Sequence, residues 1–247
     1  MSWLSSSDSA LPHLVLEMLA YGLGARVYWR GARAQPAPVA KIDRWLLFGC
    51  AVFGAAVGSK GLHVLEHLPA LLERNEPTLW FGGKSVLGGF LGGTLGVEFG
   101  KRAIGWNNST GDAWVPALTL GLVLGRLGCQ LSGTWDQTYG NVTSLPWAWD
   151  FGDGIGRHPV ALYEALLVAS LWAITRRRWL AAPGATFAAF MGGYCALRFG
   201  LEFLKPPFGP AGPGTLEVAH FAGLSAIQWA ALFGGSASFL LWRFRVR

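Results

Sequence analysis

Two arginines stand inside stretches that are otherwise apolar. Arg126 lies in GLVLGRLGCQLSG, flanked by Gly125 and Gly128, and Arg198 lies in GGYCALRFGLEFLKPP with Tyr194 before it and Glu202 after it at intervals of four. A guanidinium is planar, permanently charged and able to grip a phosphate through two hydrogen bonds. The glycines beside Arg126 let a headgroup or a second backbone come close. The plainer alternative for Arg126 is a helix-pairing or snorkelling role. Tyr194, Arg198 and Glu202 share one helical face. The Arg198 and Glu202 charges either neutralise each other or form a site-facing pair.

Other polar groups fall near the ends of apolar stretches. Arg157-His158-Pro159 is followed by Tyr163-Glu164, where His158 acts either as a helix cap or as an acid–base group. Glu17 and Tyr21 lie one turn apart, and Lys60, His63, Glu66 and His67 form a second cluster. Lys60 reads as an inward-facing cation near a headgroup. His63 and His67 have the spacing of a metal-binding pair, but no third ligand has a fitting context, so neither metal nor cofactor is expected. There is no GxSxG elbow, zinc motif or Rossmann fingerprint, and the Gly-rich run GKSVLGGFLGGTLG lacks phosphate-loop order. It reads as a close-packing helix face.

The elements that must position these groups are membrane helices. Of 247 residues, 52% are hydrophobic and only 14% charged, with 35 Gly and 13 Trp. A soluble domain carries about a quarter charged residues. Seven segments are long and apolar enough to be candidate spans: 11–29, 45–67, 85–100, 115–132, 160–175, 182–204 and 216–242. Trp29, Trp45, Trp114, Trp179 and Trp242 mark their ends, as an interfacial aromatic belt would.

Arg26, Arg30, Arg33, Lys41 and Arg44 surround the first loop. Lys101 and Arg102 follow the third span, Arg176 to Arg178 the fifth, and Arg243, Arg245 and Arg247 end the chain. The positive-inside rule therefore puts the N-terminus outside and the C-terminus in the cytoplasm. The net charge of +6 is explained by topology, and nucleic-acid binding is not needed. The expectation is an all-α, seven-span bundle forming one domain over 1–247, with an ordered outer loop at 133–158. No cleavable signal peptide is evident. Cys50, Cys129 and Cys195 sit in apolar runs and read as free thiols.

These residues together resemble the prolipoprotein diacylglyceryl transferase family. Gly125-Arg126-Leu127-Gly128 matches the start of its signature, and Arg157-His158-Pro159 with Leu162-Tyr163-Glu164 matches a second element. Tyr194, Arg198-Phe199 and Glu202-Phe203 match a third. Tyr21-Gly22-Leu23, Gly58-Ser59-Lys60, Ser225 and Gln228 fit the first, second and last helices. The chain departs from the family at Leu87, where a functional His is usual, at Cys129 to Ser132, and at Ala161.

The resemblance implies a bacterial inner-membrane enzyme. It would transfer a diacylglyceryl group from phosphatidylglycerol to the lipobox cysteine of a lipoprotein precursor, releasing glycerol phosphate. Arg126, Arg198, Glu202 and His158 are the implied catalytic set. Tyr21, Lys60, Gly125, Gly128, Arg157 and Tyr194 would bind substrate. Acceptor deprotonation falls to His158 or to water. Two alternatives stand beside this: another acceptor for the same phospholipid donor, and a non-catalytic lipid-binding membrane protein.

Overall fold

The computed structural model describes residues 10–34, 41–74, 76–136, 138–176, 182–206 and 216–246. The expectations for Arg177, Arg178, Trp179 and Arg247 lie outside these residues. The described chain is all-helical apart from short two-residue strand pairs.

Seven long helices and one short one follow in order: α1 (Ala10–Arg33), α2 (Lys41–Arg74), α3 (Pro77–Gly82), α4 (Val86–Ala103), α5 (Val115–Ser132), α6 (Val160–Thr175), α7 (Ala185–Glu202) and α8 (Ala226–Val246). Each of the seven long helices overlaps one expected apolar segment. By length and hydropathy, two stretches among the described residues qualify to cross a membrane, Asp43–Arg74 and Gly111–Ser132, while Val160–Thr175 is a shorter apolar helix. The helices also turn large apolar side chains outward, among them Phe53, Leu95, Phe99, Leu166 and Phe233.

Glycine sets the closest packing. Gly54 and Gly58 on α2 meet Gly88, Gly92 and Gly96 on α4, all at four-residue spacing. A Cβ on Gly54 would run into the Gly92 carbonyl, and one on Gly58 into the Gly88 carbonyl. Backbones pressed together in this way gain dispersion contacts along the whole seam, which is how helices associate when no water drives them. The GKSVLGGFLGGTLG run is therefore a packing face, as its composition suggested. α1 packs on α5, α5 on α6, and α7 on both α6 and α8.

Between them lies a core that includes Leu62, Leu87, Val115, Leu122, Val168, Phe190, Tyr194 and Ile227. At the far end of α1, Tyr28 stacks on Trp114 at 3.9 Å, with Phe48 beside both.

Two helix starts differ from the apolar pattern for local reasons. α7 begins at Ala185 because Gly184 takes a left-handed φ of 84°, which favours glycine. The Asp112 carboxylate then accepts from the Gly184 and Phe187 amides at 2.6 and 2.8 Å, capping the helix. α8 begins ten residues later than the apolar run. His220–Phe221 pairs with Leu224–Ser225 around Ala222-Gly223, both at positive φ. Ser225 and Gln228 form a reciprocal cap: the Ser225 amide donates to Gln228 Oε1 at 2.9 Å, and the Gln228 amide donates to Ser225 Oγ at 3.2 Å.

The α2/α4 seam yields a test. Gly92→Leu should lower stability by about 1–3 kcal/mol or more, since the facing backbone cannot yield as a side chain would. Gly22→Ala meets nothing within 4 Å and should cost nothing. Thermal unfolding of the purified protein in detergent checks the contrast.

Candidate functional site

The ends of α5, α6 and α7 converge on one carboxylate. Val160, Ala161, Glu164, Ala165 and Val168 form the buried stripe of α6, so Glu164 is carried into the interior with only 1% of its surface exposed. A charge there is stable only if opposite charges and hydrogen bonds surround it. Arg126 Nη2 donates to Glu164 Oε1 at 3.1 Å, and Arg126 Nε lies 3.0 Å from Oε2 without good hydrogen-bond alignment. Arg198 Nη1 donates to Oε2 at 3.0 Å, and the Tyr194 hydroxyl donates to Oε1 at 2.9 Å. Arg198 reaches on to Glu202 Oε2 at 2.8 Å, and Lys205 Nζ lies 3.9 Å from the same oxygen.

The Arg198–Glu202 pair expected from sequence is thus present, with Tyr194 one turn above. The centre of the network is Glu164, which was read only as part of the Leu162-Tyr163-Glu164 element. Its signal was there: a lone acid on the buried face of an apolar helix requires cations, and Arg126 and Arg198 are the deep arginines available. Three cations (Arg126, Arg198, Lys205) and two carboxylates (Glu164, Glu202) make up the network.

Arg126 also borders a large, half-open cavity of about 2630 Å³, lined by α1, α2, α4 and α5 with both ends of α7 and part of α8. Pockets for drug-sized ligands are about 300–1,000 Å³, so this space suits something longer. The arginine's third nitrogen, Nη1, has Cys129 Sγ at 3.8 Å, a weak acceptor. One edge of the guanidinium is fixed by Glu164, and the other meets a thiol in the cavity wall.

The remaining expected residues divide. Tyr21, Gly125 and Glu202 line the cavity with Arg126. Tyr21 donates to Glu17 Oε1 at 2.6 Å, and Glu17 also pairs with Lys84. Gly125 has open space where a Cβ would be. Gly128 instead packs α5 on α1: a Cβ there would sit 3.3 Å from His13 Cα. Lys60 donates to the Phe81 carbonyl and, at 2.6 Å, to the Gly83 carbonyl, so it ties α2 to the turn before α4. Leu87, where the family has a His, is buried in the core beside Leu62.

Arg157 and His158 belong to the loop at 133–158 and not to the cavity wall. Arg157 grips Asp153 through two 2.8 Å bonds and lies 4.8 Å over the Tyr139 ring. That contact holds the Asp153 carboxyl below the usual carboxylate range. His158 Nδ1 is 3.4 Å from the Tyr163 hydroxyl, which accepts from Trp147 Nε1 at 2.7 Å. Asn141 N donates to the Leu204 carbonyl at 2.7 Å, so the loop is ordered and docked on the end of α7.

Comparisons with known proteins agree with the residues. A family model described as prolipoprotein diacylglyceryl transferase matches residues 15–242. A phosphatidylglycerol–prolipoprotein diacylglyceryl transferase of Rhizobium meliloti is 35% identical over 191 residues, covering 72% of this chain and 66% of the relative. One of Bordetella parapertussis is 32% identical, covering 90% of this chain and 84% of its own, and one of Aromatoleum aromaticum is 33% identical, covering 89% and 83%.

Glu164→Gln removes the charge that two buried guanidinium groups share. It should cost about 3–5 kcal/mol, as breaking a buried ion pair does. Glu202→Gln leaves Arg198 its bond to Glu164 and should cost less. Unfolding of the purified variants in detergent measures both.

Proposed function

The chain belongs to the prolipoprotein diacylglyceryl transferase family, and we propose that it transfers the diacylglyceryl group of phosphatidylglycerol to the cysteine thiol of a lipoprotein precursor. Glycerol phosphate is the leaving group. The observation that carries this reading is the orientation of Arg126, whose guanidinium is anchored on one edge by Glu164 and borders the long cavity with the other.

The chemistry asks for a group that holds the phosphate and stabilises the negative charge left on it as the carbon–oxygen bond breaks. Arg126 is placed to do this directly. Arg198, engaged by Glu164 and Glu202, acts through them: it holds Glu164 in place. Tyr194 fixes the same carboxylate, and Glu202 holds Arg198 from the cavity side. Tyr21 and Gly125 line the path of the glyceryl portion. The outer loop held by Arg157 and Asp153, with His158 and Tyr163, forms a rim docked on the end of α7.

The protein works in the bacterial inner membrane as one domain of seven spans, N-terminus outside and C-terminus in the cytoplasm. The placement of basic residues supports this orientation, and the outward apolar side chains support a lipid surround. In that orientation Arg126, Glu164, Arg198 and Glu202 lie towards the outer ends of their helices, with Tyr194 midway along α7.

Purified protein should transfer radiolabelled phosphatidylglycerol lipid to a lipobox peptide. Arg126→Lys, which keeps the charge and loses the planar fork, should reduce turnover at least about 100-fold. Absence of label transfer by the unaltered protein, where a family relative works under the same conditions, would refute the reading.

A further inference from the structure

Thiol attack needs a proton acceptor, and Leu87 cannot serve. The ionisable groups that line the cavity can be taken in turn. Glu202 is paired with Arg198. Glu17 is paired with Lys84 and lies 3.5 Å from His13. His63 lines the cavity, but it is buried, and its ring is packed into the place a Cβ on Gly83 would take. His158 is in the outer loop.

His67 is different. Its Nδ1 lies 3.0 Å from the Glu217 carbonyl, and a carbonyl only accepts, so Nδ1 carries the hydrogen. In the neutral ring the lone pair is therefore on Nε2, which is the proton-accepting tautomer. The carbonyl that fixes it is itself fixed, because Ala219 N, two residues on, donates to the Glu66 carbonyl at 2.7 Å. The Glu66 carboxylate stands beside the ring, Oε2 being 3.9 Å from His67 Nε2. Its side chain and that of His67 are 12% and 16% exposed, and both line the cavity. A base, a backbone carbonyl that orients it and a carboxylate beside it are the parts an activated nucleophile requires.

Resting on the transferase reading, the geometry points to His67 on α2 as the general base that deprotonates the acceptor thiol, with Glu66 steadying the imidazolium that results. The thiol proton passes to Nε2 as the sulfur attacks the glyceryl carbon. The sulfur–carbon bond forms, the carbon–oxygen bond to phosphate breaks, and its electron pair leaves with glycerol phosphate. The imidazolium then returns the proton to water on the outer side. The phosphate end would lie against Arg126 and the acceptor against α2.

The test uses the full-length protein with labelled phosphatidylglycerol and a lipobox peptide. His67→Gln should lose about 10²–10⁴-fold in turnover while still binding phosphatidylglycerol. In His67→Gly, added imidazole should restore transfer, which a purely structural role for the ring would not allow. Glu66→Gln should lose less than His67→Gln. If the unaltered protein transfers label and His67→Gln stays within about threefold of it, the assignment is overturned. It is also overturned if imidazole restores nothing in His67→Gly. An unaltered protein that transfers no label sinks the transferase reading itself, which keeps the two failures apart.

Discussion

A single carboxylate, Glu164, accepts from two guanidinium groups and a phenol hydroxyl supplied by α5 and α7. Removing a charge from water costs several kcal/mol, and only close opposite charges with satisfied hydrogen bonds offset that cost. The carboxylate therefore dictates where Arg126, Tyr194 and Arg198 must point, and the three helices that carry these groups are registered against one another at this level. An apolar residue of similar volume would leave the two arginines free to seek other partners. Their present directions follow from the acid between them.

That constraint turns a general requirement into a directed one. A cation is needed to hold an anionic headgroup, but a free arginine on a flexible stem is a poor template. Here one edge of Arg126 is spent on Glu164, so the remaining edge has little freedom. The α2/α4 pairing contributes from the other side. Because its glycines let two backbones touch, these helices form a close-packed part of the cavity wall. Glu66, His67, Glu202 and Lys205 border this space together with Arg126. The rest of the wall is mostly small and apolar, which suits acyl chains.

Much of this was legible in the sequence, for reasons that can be named. Arg126 and Arg198 stood out because a charge within an apolar run is costly and so conspicuous. Tyr194, Arg198 and Glu202 were joined by a spacing of four, and the helix does place them on one face. Helix positions followed from apolar runs, though among the described residues only two segments meet a strict length and hydropathy test for crossing a membrane. The partner of the two arginines was harder to see. Glu164 is 38 residues from Arg126 and 34 from Arg198, and spacing carries no information over such distances. Gly128 and Lys60 illustrate the converse. Each sits in a fitting motif, yet one is a contact between α5 and α1 and the other binds two carbonyls. The late start of α8 depended on a hairpin whose turn, Ala222-Gly223, hides in an apolar stretch.

The claim on which the account rests is that Glu164 fixes one edge of Arg126 so that the other meets the phosphate. The most direct measurement is an experimental structure of the protein with phosphatidylglycerol bound in the cavity. The account predicts a phosphate oxygen within hydrogen-bond length of Arg126 Nη1, with the bond from Arg126 Nη2 to Glu164 retained and both acyl chains in the cavity. A phosphate held elsewhere, with Arg126 still turned wholly into its contacts with Glu164 and Cys129, would contradict it.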